Sequence, residues 1–557
     1  MRSSSITPVQ SLRRLTRRAW LRQLGLGAGA VAATRAFGGL VLARGAQGAP
    51  STAVRSPIAT TTHGRIRGYV DQGINVFKGI PYGADTSARR FQPPAPPAPW
   101  TGVLDTLEFG PTAPQPRGSG GGFFPPDEAK VIGEDCLHLN LWTPAAGQGG
   151  RRPVLVWFHP GAYSSMTSNS SGYDGVRLSR RGDAVVVTVN HRLNVFGYLY
   201  LAELGGAAFA DSGNAGMLDL VLALQWVRDN IAQFGGDPNS VTIFGQSGGG
   251  AKCATLMAMP AARGLFHRVW TMSGQQITAT RPVTGNKHAG DVLAALKLPP
   301  DRLRDPNTVT MDQLLAARAR GSYFGPVKDG RSLPRDPFDP DAPPLSAGVP
   351  MVLGNTHDET RGLMGGEASL FDLTWDTLRA TLEANSPFMG DLDRGRVIAE
   401  YRRIYPHYSA TDIFFASTTA SRSWRGQVIE ADRRAAQAAA APHTWVYQFD
   451  WCTPVQGGRL KAPHGLDIPM VFDNVALCTQ MTGNGPDAQR VADQMSETLL
   501  AFARTGNPNT KAIPRWPTFN AADRPTMVFD TAAKVVNDPR GDERRMFEKI
   551  PYVQPGT

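Results

Sequence analysis

Cysteine is scarce in this chain: Cys136, Cys253, Cys452 and Cys478 are the only four among 557 residues. They form no C-x-x-C pair and no zinc-binding spacing, which excludes a disulfide scaffold, a dithiol redox motif and a cysteine-held metal as organising devices. A Cys452–Cys478 bridge is the one pairing left open in an oxidising compartment. Otherwise the thiols are expected to be buried small hydrophobes or unpaired. Long low-complexity blocks are also lacking, and at 41% hydrophobic residues the chain reads as globular. Acidic residues are missing altogether from the first 48 positions, which carry eight arginines: Arg2, Arg13, Arg14, Arg17, Arg18, Arg22, Arg35 and Arg44.

That local lack of acid explains most of the chain's positive charge. The formal net charge is +11, and removing the eight arginines leaves +3 for the remainder. No dense Lys/Arg patch interleaved with aromatics follows, so the composition gives no case for nucleic-acid binding. Within the basic stretch, "TRRAWLRQLGLGAGAVAA" sets Arg17 and Arg18 ahead of a Gly/Ala-rich apolar segment, which resembles a twin-arginine export signal. Its apolar part is broken by Arg35 and falls short of the roughly 20 apolar residues of a membrane span. The expectation is a signal peptide over 1–48, export to the periplasm or medium, no stable membrane anchor, and one domain over 49–557.

What the chain does contain is a series of short, continuously apolar or β-branched runs: Pro153–Phe158, Ala184–Asn190, Ser240–Phe244, Pro350–Asn355 and Thr444–Phe449. Runs without alternation suit strands covered on both faces, as in a parallel sheet. Between them Met217–Phe234 has a broad apolar helical face. Strands alternating with helices predict an α/β fold. Two long stretches without sheet-like runs, one following "SGQQ" and extending to about residue 350 and a mixed helical one from Leu370 to Ala441, read as insertions.

The stretch "VTIFGQSGGGAKC", Val241–Cys253, carries the chemistry. A buried strand leads into Gly245-Gln246-Ser247-Gly248-Gly249, and small residues continue as a helix towards Pro260. This is G-x-S-x-G in strand–turn–helix context, a strained turn that lifts a serine hydroxyl beside free helix N–H groups. Such a nucleophile needs a base, an orienting carboxylate and oxyanion donors. "HPGAY", His159–Tyr163, follows a buried strand and offers backbone donors, although a plain tight turn has the same local sequence. Six histidines follow Ser247, and spacing does not choose among them.

The ordered motifs "FKGIPYG" (Phe77–Gly83), "RFQPPAPPAPW" (Arg90–Trp100), "EDCLHLNLW" (Glu134–Trp142), "NHRLNVFGYL" (Asn190–Leu199), the block Gly213–Gly250, "FARTGNPN" and "WPTF" resemble the type-B carboxylesterase and cholinesterase-like lipase family of α/β-hydrolases, from about Gly64 to Phe547. The resemblance implies an α/β-hydrolase fold: a central, mostly parallel sheet flanked by helices, with large helical insertions forming the active-site rim. It assigns the acid to Glu359 in "GNTHDE", with Asp358 as the neighbouring alternative, and the base to His464 in "APHGLDIPMVF". It also assigns the oxyanion donors to the backbone N–H groups of Gly161, Ala162 and Gly248. The implied reaction is hydrolysis of a small-molecule carboxylic ester through Ser247, with no cofactor and no metal. The same site can serve amide, carbamate or thioester bonds or acyl transfer, and the family also includes non-catalytic binding proteins.

Departures from the family pattern are Gln246 in place of a frequent Glu, Gly248 in place of Ala, and Pro160 in place of a glycine in the oxyanion loop. The neutral Gln246 is expected to alter the pH–rate profile. The side chain at 248 is expected to matter little, because its role is a backbone donor. Pro160 has no N–H to give. Cys136 lacks its family disulfide partner, since Ala113 stands there. The stretch "RGSGGGFFPP", Arg117–Pro126, reads either as a rim bringing Phe123 and Phe124 to the substrate or as a surface loop with two tucked aromatics.

Overall fold

The computed structural model describes residues 56–116, 123–147, 149–318 and 322–554. The signal-peptide reading of residues 1–48 lies outside them.

Among the described residues an eleven-stranded sheet dominates. In chain order its strands are β1 (Tyr69–Asp71), β2 (Ile74–Pro81), β3 (His138–Thr143), β4 (Arg152–Phe158), β5 (Val185–Val189), β6 (Gly236–Gln246), β7 (Arg268–Met272), β8 (Met351–Thr356), β9 (Thr444–Phe449), β10 (Pro525–Phe529) and β11 (Lys534–Asn537). Across the sheet the order is β11-β10-β9-β8-β7-β6-β4-β5-β3-β2-β1. The run from β10 to β5 is parallel throughout. The strands outside it pair antiparallel. A small sheet of Ile58–Thr61, Gly64–Arg67 and Val103–Asp105 stands apart.

The expected strands fall within one or two residues of β4, β5, β8 and β9, and β6 is longer than its apolar stretch. Their composition explains why. Every residue of β5, β8 and β9 is buried, as a strand covered on both faces demands. Along β4, Val154, Val156 and Phe158 enter one apolar core while Leu155 and Trp157 enter a second on the other face. Each such side chain removed from water contributes about 1.5–3 kcal/mol before the entropy of ordering it is counted. The antiparallel strands and β7 escaped the sequence reading because they are short or mix polar with apolar residues, as "HLNLWT" does in β3.

Six helices bear on the site: α1 (Ala215–Asn230), α2 (Gly248–Leu256), α3 (Glu359–Leu363), α4 (Ala410–Thr419), α5 (Arg425–Ala435) and α6 (Pro486–Thr505). The helix after Ser247 ends at Leu256, short of Pro260, where a 3₁₀ turn begins instead. Helix α1 is tied to the loop after β5 by Arg192, whose Nη2 donates to Asp219 Oδ1 at 2.6 Å with both side chains buried. The second insertion carries its own core, with Leu378, Leu382, Val397, Tyr401 and Phe414 fully or almost fully buried together. Between α4 and α5 it makes a single π-helical turn, Ala420–Trp424.

All four cysteines are free thiols. Cys478 is buried, Cys452 is exposed, and no bridge joins them.

Candidate active site

The carboxyl ends of β4, β6, β8 and β9 deliver the segments predicted to carry chemistry, as expected for ligand sites on open α/β sheets. Strand β6 ends at Gln246, and Ser247 occupies the turn into α2 with φ 54° and ψ −125°. A non-glycine residue at positive φ is costly, and here the surroundings enforce it. The Ser247 N–H donates to Met272 O at 2.7 Å, and its carbonyl accepts from Ala251 N at 3.0 Å.

The flanking glycines are required by contact. A Cβ on Gly249 would fall 1.9 Å from Phe158 O. A Cβ on Gly248 would fall 2.1 Å from Ala162 O and 2.3 Å from Ala162 Cα. The expectation that the side chain at 248 matters little is therefore corrected: the loop after β4 lies against the elbow so closely that no side chain fits. That loop holds Gly161 at φ 93° and Ala162 at φ 54°. Its turn is closed by Ser164 N and Ser165 N donating to Gly161 O at 3.1 and 3.0 Å. Among the described residues no protein acceptor meets the N–H of Gly161 or Ala162. Beneath the loop the buried Lys252 ammonium donates to His159 O at 3.1 Å, and burial pulls its pKa down to about 7.

The second segment predicted to carry chemistry follows β8. Glu359 opens α3 and is fully buried. Its Oε1 accepts from Asn355 Nδ2 at 2.9 Å and from Thr356 N at 3.0 Å. Its Oε2 is hydrogen-bonded to His464 Nδ1. Burial works against ionisation of Glu359, but the imidazole and these donors outweigh it and hold the carboxyl below its usual range. The alternative acid, Asp358, points elsewhere: it pairs with Arg361 Nε at 3.2 Å and accepts from Ala462 N. A third carboxyl, Asp467, is buried three residues beyond His464 in the same segment, where burial pushes it up to about 7 although Tyr447 Oη donates to it at 2.8 Å. Opposite environments thus leave Glu359 as the charged partner of the imidazole.

Ser247, Gly248, Ala162 and His464 line one cavity of 260 Å³. Gly161 lies just outside its lining. No hydrogen bond joins Ser247 to His464 among the described residues. Instead Gln246 Nε2 lies 3.1 Å from His464 Nε2, the ring nitrogen that faces away from Glu359. Gln246 Oε1 is buried without a partner. Sequence reasoning foresaw an electrostatic effect of Gln246 but not this direct contact.

It also missed much of the cavity wall, including Gln275, Gln276, Tyr323, Arg422 and Tyr552. These come from the turn after β7, the two insertions and the C-terminal segment. Phe123 and Phe124 do not line the cavity. They pack edge to face at 5.7 Å, and the Phe124 ring covers Gly465, where a Cβ would fall 2.7 Å from it. Phe124 thus packs against the segment that carries His464. A larger cavity of 720 Å³, between Phe388 and Val553, contains none of the predicted residues.

The carboxylesterase family model matches residues 55–547. Para-nitrobenzyl esterase of Bacillus subtilis (strain 168) is 33% identical over 508 residues, covering 88% of this chain and 98% of that protein. Phenmedipham hydrolase of Pseudarthrobacter oxydans is 32% identical over 521 residues, covering 87% of this chain and 97% of that protein. Among solved structures, Geobacillus stearothermophilus carboxylesterase EST55 at pH 6.2 superposes with a TM-score of 0.77 at 36% identity, covering 88% of this chain and 99% of that one. An esterase from Clostridium hathewayi that can hydrolyse aliphatic aromatic polyesters gives 0.74 at 32% identity, with 89% and 98% covered. With this sheet order, a glycine-bounded serine elbow and a match along nearly the whole described chain, the protein belongs to the carboxylesterase family and has its α/β-hydrolase fold.

Proposed function

We propose that this protein is a serine hydrolase of small carboxylic esters, working through Ser247, His464 and Glu359 and an acyl-enzyme. The observation that carries the reading is the buried Glu359–His464 pair, set in one cavity with a serine held at positive φ. Esterase and hydrolase relatives at about a third identity support the same bond class.

His464 Nδ1–H donates to the charged Glu359, which leaves the Nε2 lone pair free to act as base. In the resting site the Gln246 amide donates to that lone pair, so it must give way as Ser247 turns its hydroxyl towards Nε2. Nε2 takes the proton while Oγ attacks the ester carbonyl carbon. The carbonyl oxygen, now an anion, is stabilised by the N–H groups of Gly161, Ala162 and Gly248; one such donor is worth about 2.7–4 kcal/mol in the transition state. Collapse expels the alcohol, which carries off the proton from His464. Water, deprotonated by the same nitrogen, then cleaves the acyl-enzyme and restores Ser247.

The finer assignments belong to the same proposal. Residues 1–48 act as a twin-arginine-type signal, and residues 49–557 form one domain exported to the periplasm or medium. No helix among the described residues is long and apolar enough to cross a membrane.

The test is turnover of p-nitrophenyl acetate, butyrate and octanoate by the mature chain and by Ser247→Ala. Turnover by the wild type with a loss of about 10⁴-fold or more in the variant is the expected result. A variant that keeps its rate, or a wild type inert to these esters and to an active-site organophosphonate, overturns it.

A further inference from the structure

The wall of the cavity opposite the sheet carries a cation that ester hydrolysis itself does not use. Arg422 lies in the π-helical turn Ala420–Trp424, a helix irregularity often found at functional sites. The turn brings its side chain into the lining shared with Ser247 and His464. The side chain is largely buried yet has no ion pair among the described residues. Its one hydrogen bond runs from Nη1 to Ser423 Oγ at 3.3 Å, and the guanidinium lies 5.8 Å from the centre of the Phe388 ring. The nearest carboxylate influence comes from Glu359, whose oxygens are already taken by His464, Asn355 and Thr356. Glu430, one helix further on, adds no full charge near neutrality, because burial pushes it up to about 8.

A second feature fixes the place. The family match ends at residue 547, yet Tyr552 and Gln554 line the same cavity. Arg425 holds this tail by donating to the carbonyls of Ile550 and Pro551, with its guanidinium 5.9 Å from the Tyr552 ring centre. Gln554 Oε1 accepts from Ile277 N at 2.7 Å and its Nε2 donates to Gln275 O at 3.1 Å. The tail therefore closes the Arg422 side of the cavity with Tyr552 and Gln554, and Ser423 of the π-helical turn stands beside them.

We infer that this site selects short esters that carry a carboxylate, with Arg422 as the residue that receives it. This deepens the ester-hydrolase reading and rests on it. A guanidinium in a half-desolvated wall is costly without an anion, and a planar carboxylate matches its donors two by two. The cavity volume of 260 Å³ limits the reach to a short acyl or alcohol group between Ser247 and Arg422.

The experiment compares charged and neutral partners of the same shape: monoethyl adipate against diethyl adipate on the acyl side, and 4-acetoxybenzoate against 4-acetoxybenzamide on the alcohol side. The expected result is a kcat/KM preference for the anion of about 10-fold or more in at least one pair. That preference falls by about 10-fold or more in Arg422→Gln, is partly restored in Arg422→Lys, and shrinks as ionic strength rises. No preference in either pair, or a ratio unchanged in Arg422→Gln whatever the absolute rate, overturns the inference. If Arg422→Gln does not fold, competitive inhibition of the wild type by adipate and 4-hydroxybenzoate decides: millimolar inhibition sustains the inference and its absence ends it.

Calorimetric binding to Ser247→Ala separates this inference from the reaction. A wild type inert to every ester, whose serine variant still binds monoethyl adipate above diethyl adipate, loses the hydrolase reading and keeps the anion site. An active wild type blind to charge does the reverse.

Discussion

The two walls of the cavity are built on opposite principles. On the sheet side, Ala162, Ser247 and Gly248 meet backbone to backbone, with positive φ at Ala162 and Ser247 and no room for an added Cβ at Gly248. On the far side, the π-helical turn, the segment after β7 and the tail present polar side chains, including Arg422, Gln275 and Tyr552. In the proposed mechanism the sheet side fixes where charge develops, which requires rigidity. The far side meets the substrate through side chains, which can change without disturbing the sheet. In the proposed reaction, chemistry rests on backbone geometry and selectivity on inserted segments.

The sharpest way to break this contrast is Gly248→Ala, which puts the residue common in the family into this elbow. The added methyl must displace Ala162 from its 2.1 Å approach, so turnover should fall by about 10²–10³-fold, as when one oxyanion donor is lost. Steady-state kinetics with p-nitrophenyl acetate checks this; a near-wild-type kcat would mean that the loop gives way freely and the sheet wall is not rigid.

A smaller effect is expected from Gln246→Glu, which replaces an amide beside the imidazole with a carboxylate. The charge favours the protonated ring, which is no base, so the acid limb of the kcat/KM profile should move up by about one pH unit. At pH 6 the variant should be about 5–10-fold slower, with little change at pH 9. An unmoved limb would show that Gln246 leaves the ring altogether once substrate binds.

The smallest effect tests the far wall, through stability. Glu430 accepts from Gln276 N at 2.8 Å, while its other oxygen is buried and unpaired. Its folded pKa, raised by burial from 4.5 to about 8, means that the fold favours the neutral carboxyl. That contribution is complete below about pH 4.5 and is lost progressively as pH rises to about 8, because the unfolded chain ionises first. Glu430→Gln does not titrate, so its Tm should gain on the wild type by about 2–4 °C between pH 4.5 and 8 and then level off. A gap that is constant with pH would show that Glu430 is already charged in the fold.

Much of the reaction wall was legible beforehand. Unalternating runs located the buried strands, because a residue covered on both faces has no polar side to show. Glycines around Ser247 marked the elbow, because contacts of 1.9–2.1 Å admit nothing larger. Family resemblance pointed to Glu359 and His464, and the structure brings them together across 105 positions of sequence. Elsewhere legibility failed in specific ways. The short strands β1 and β11 gave too few residues for any period to register. Phe123 and Phe124 were open to two readings, rim or tucked aromatics, and only the fold sets the Phe124 ring over Gly465, outside the cavity lining.

By itself, then, the sequence determined the parallel sheet, the serine elbow and the absence of a disulfide framework, since each follows from local sterics, hydrophobic pattern or composition. Tertiary structure alone decided that Gln246 holds His464 Nε2, that Asp358 turns away to Arg361, and that Arg422 and a tail beyond the family match close the cavity. The physical reason is range. A turn or a buried strand is set by neighbours in the chain, whereas the partner of a long polar side chain depends on which distant segment packs against it.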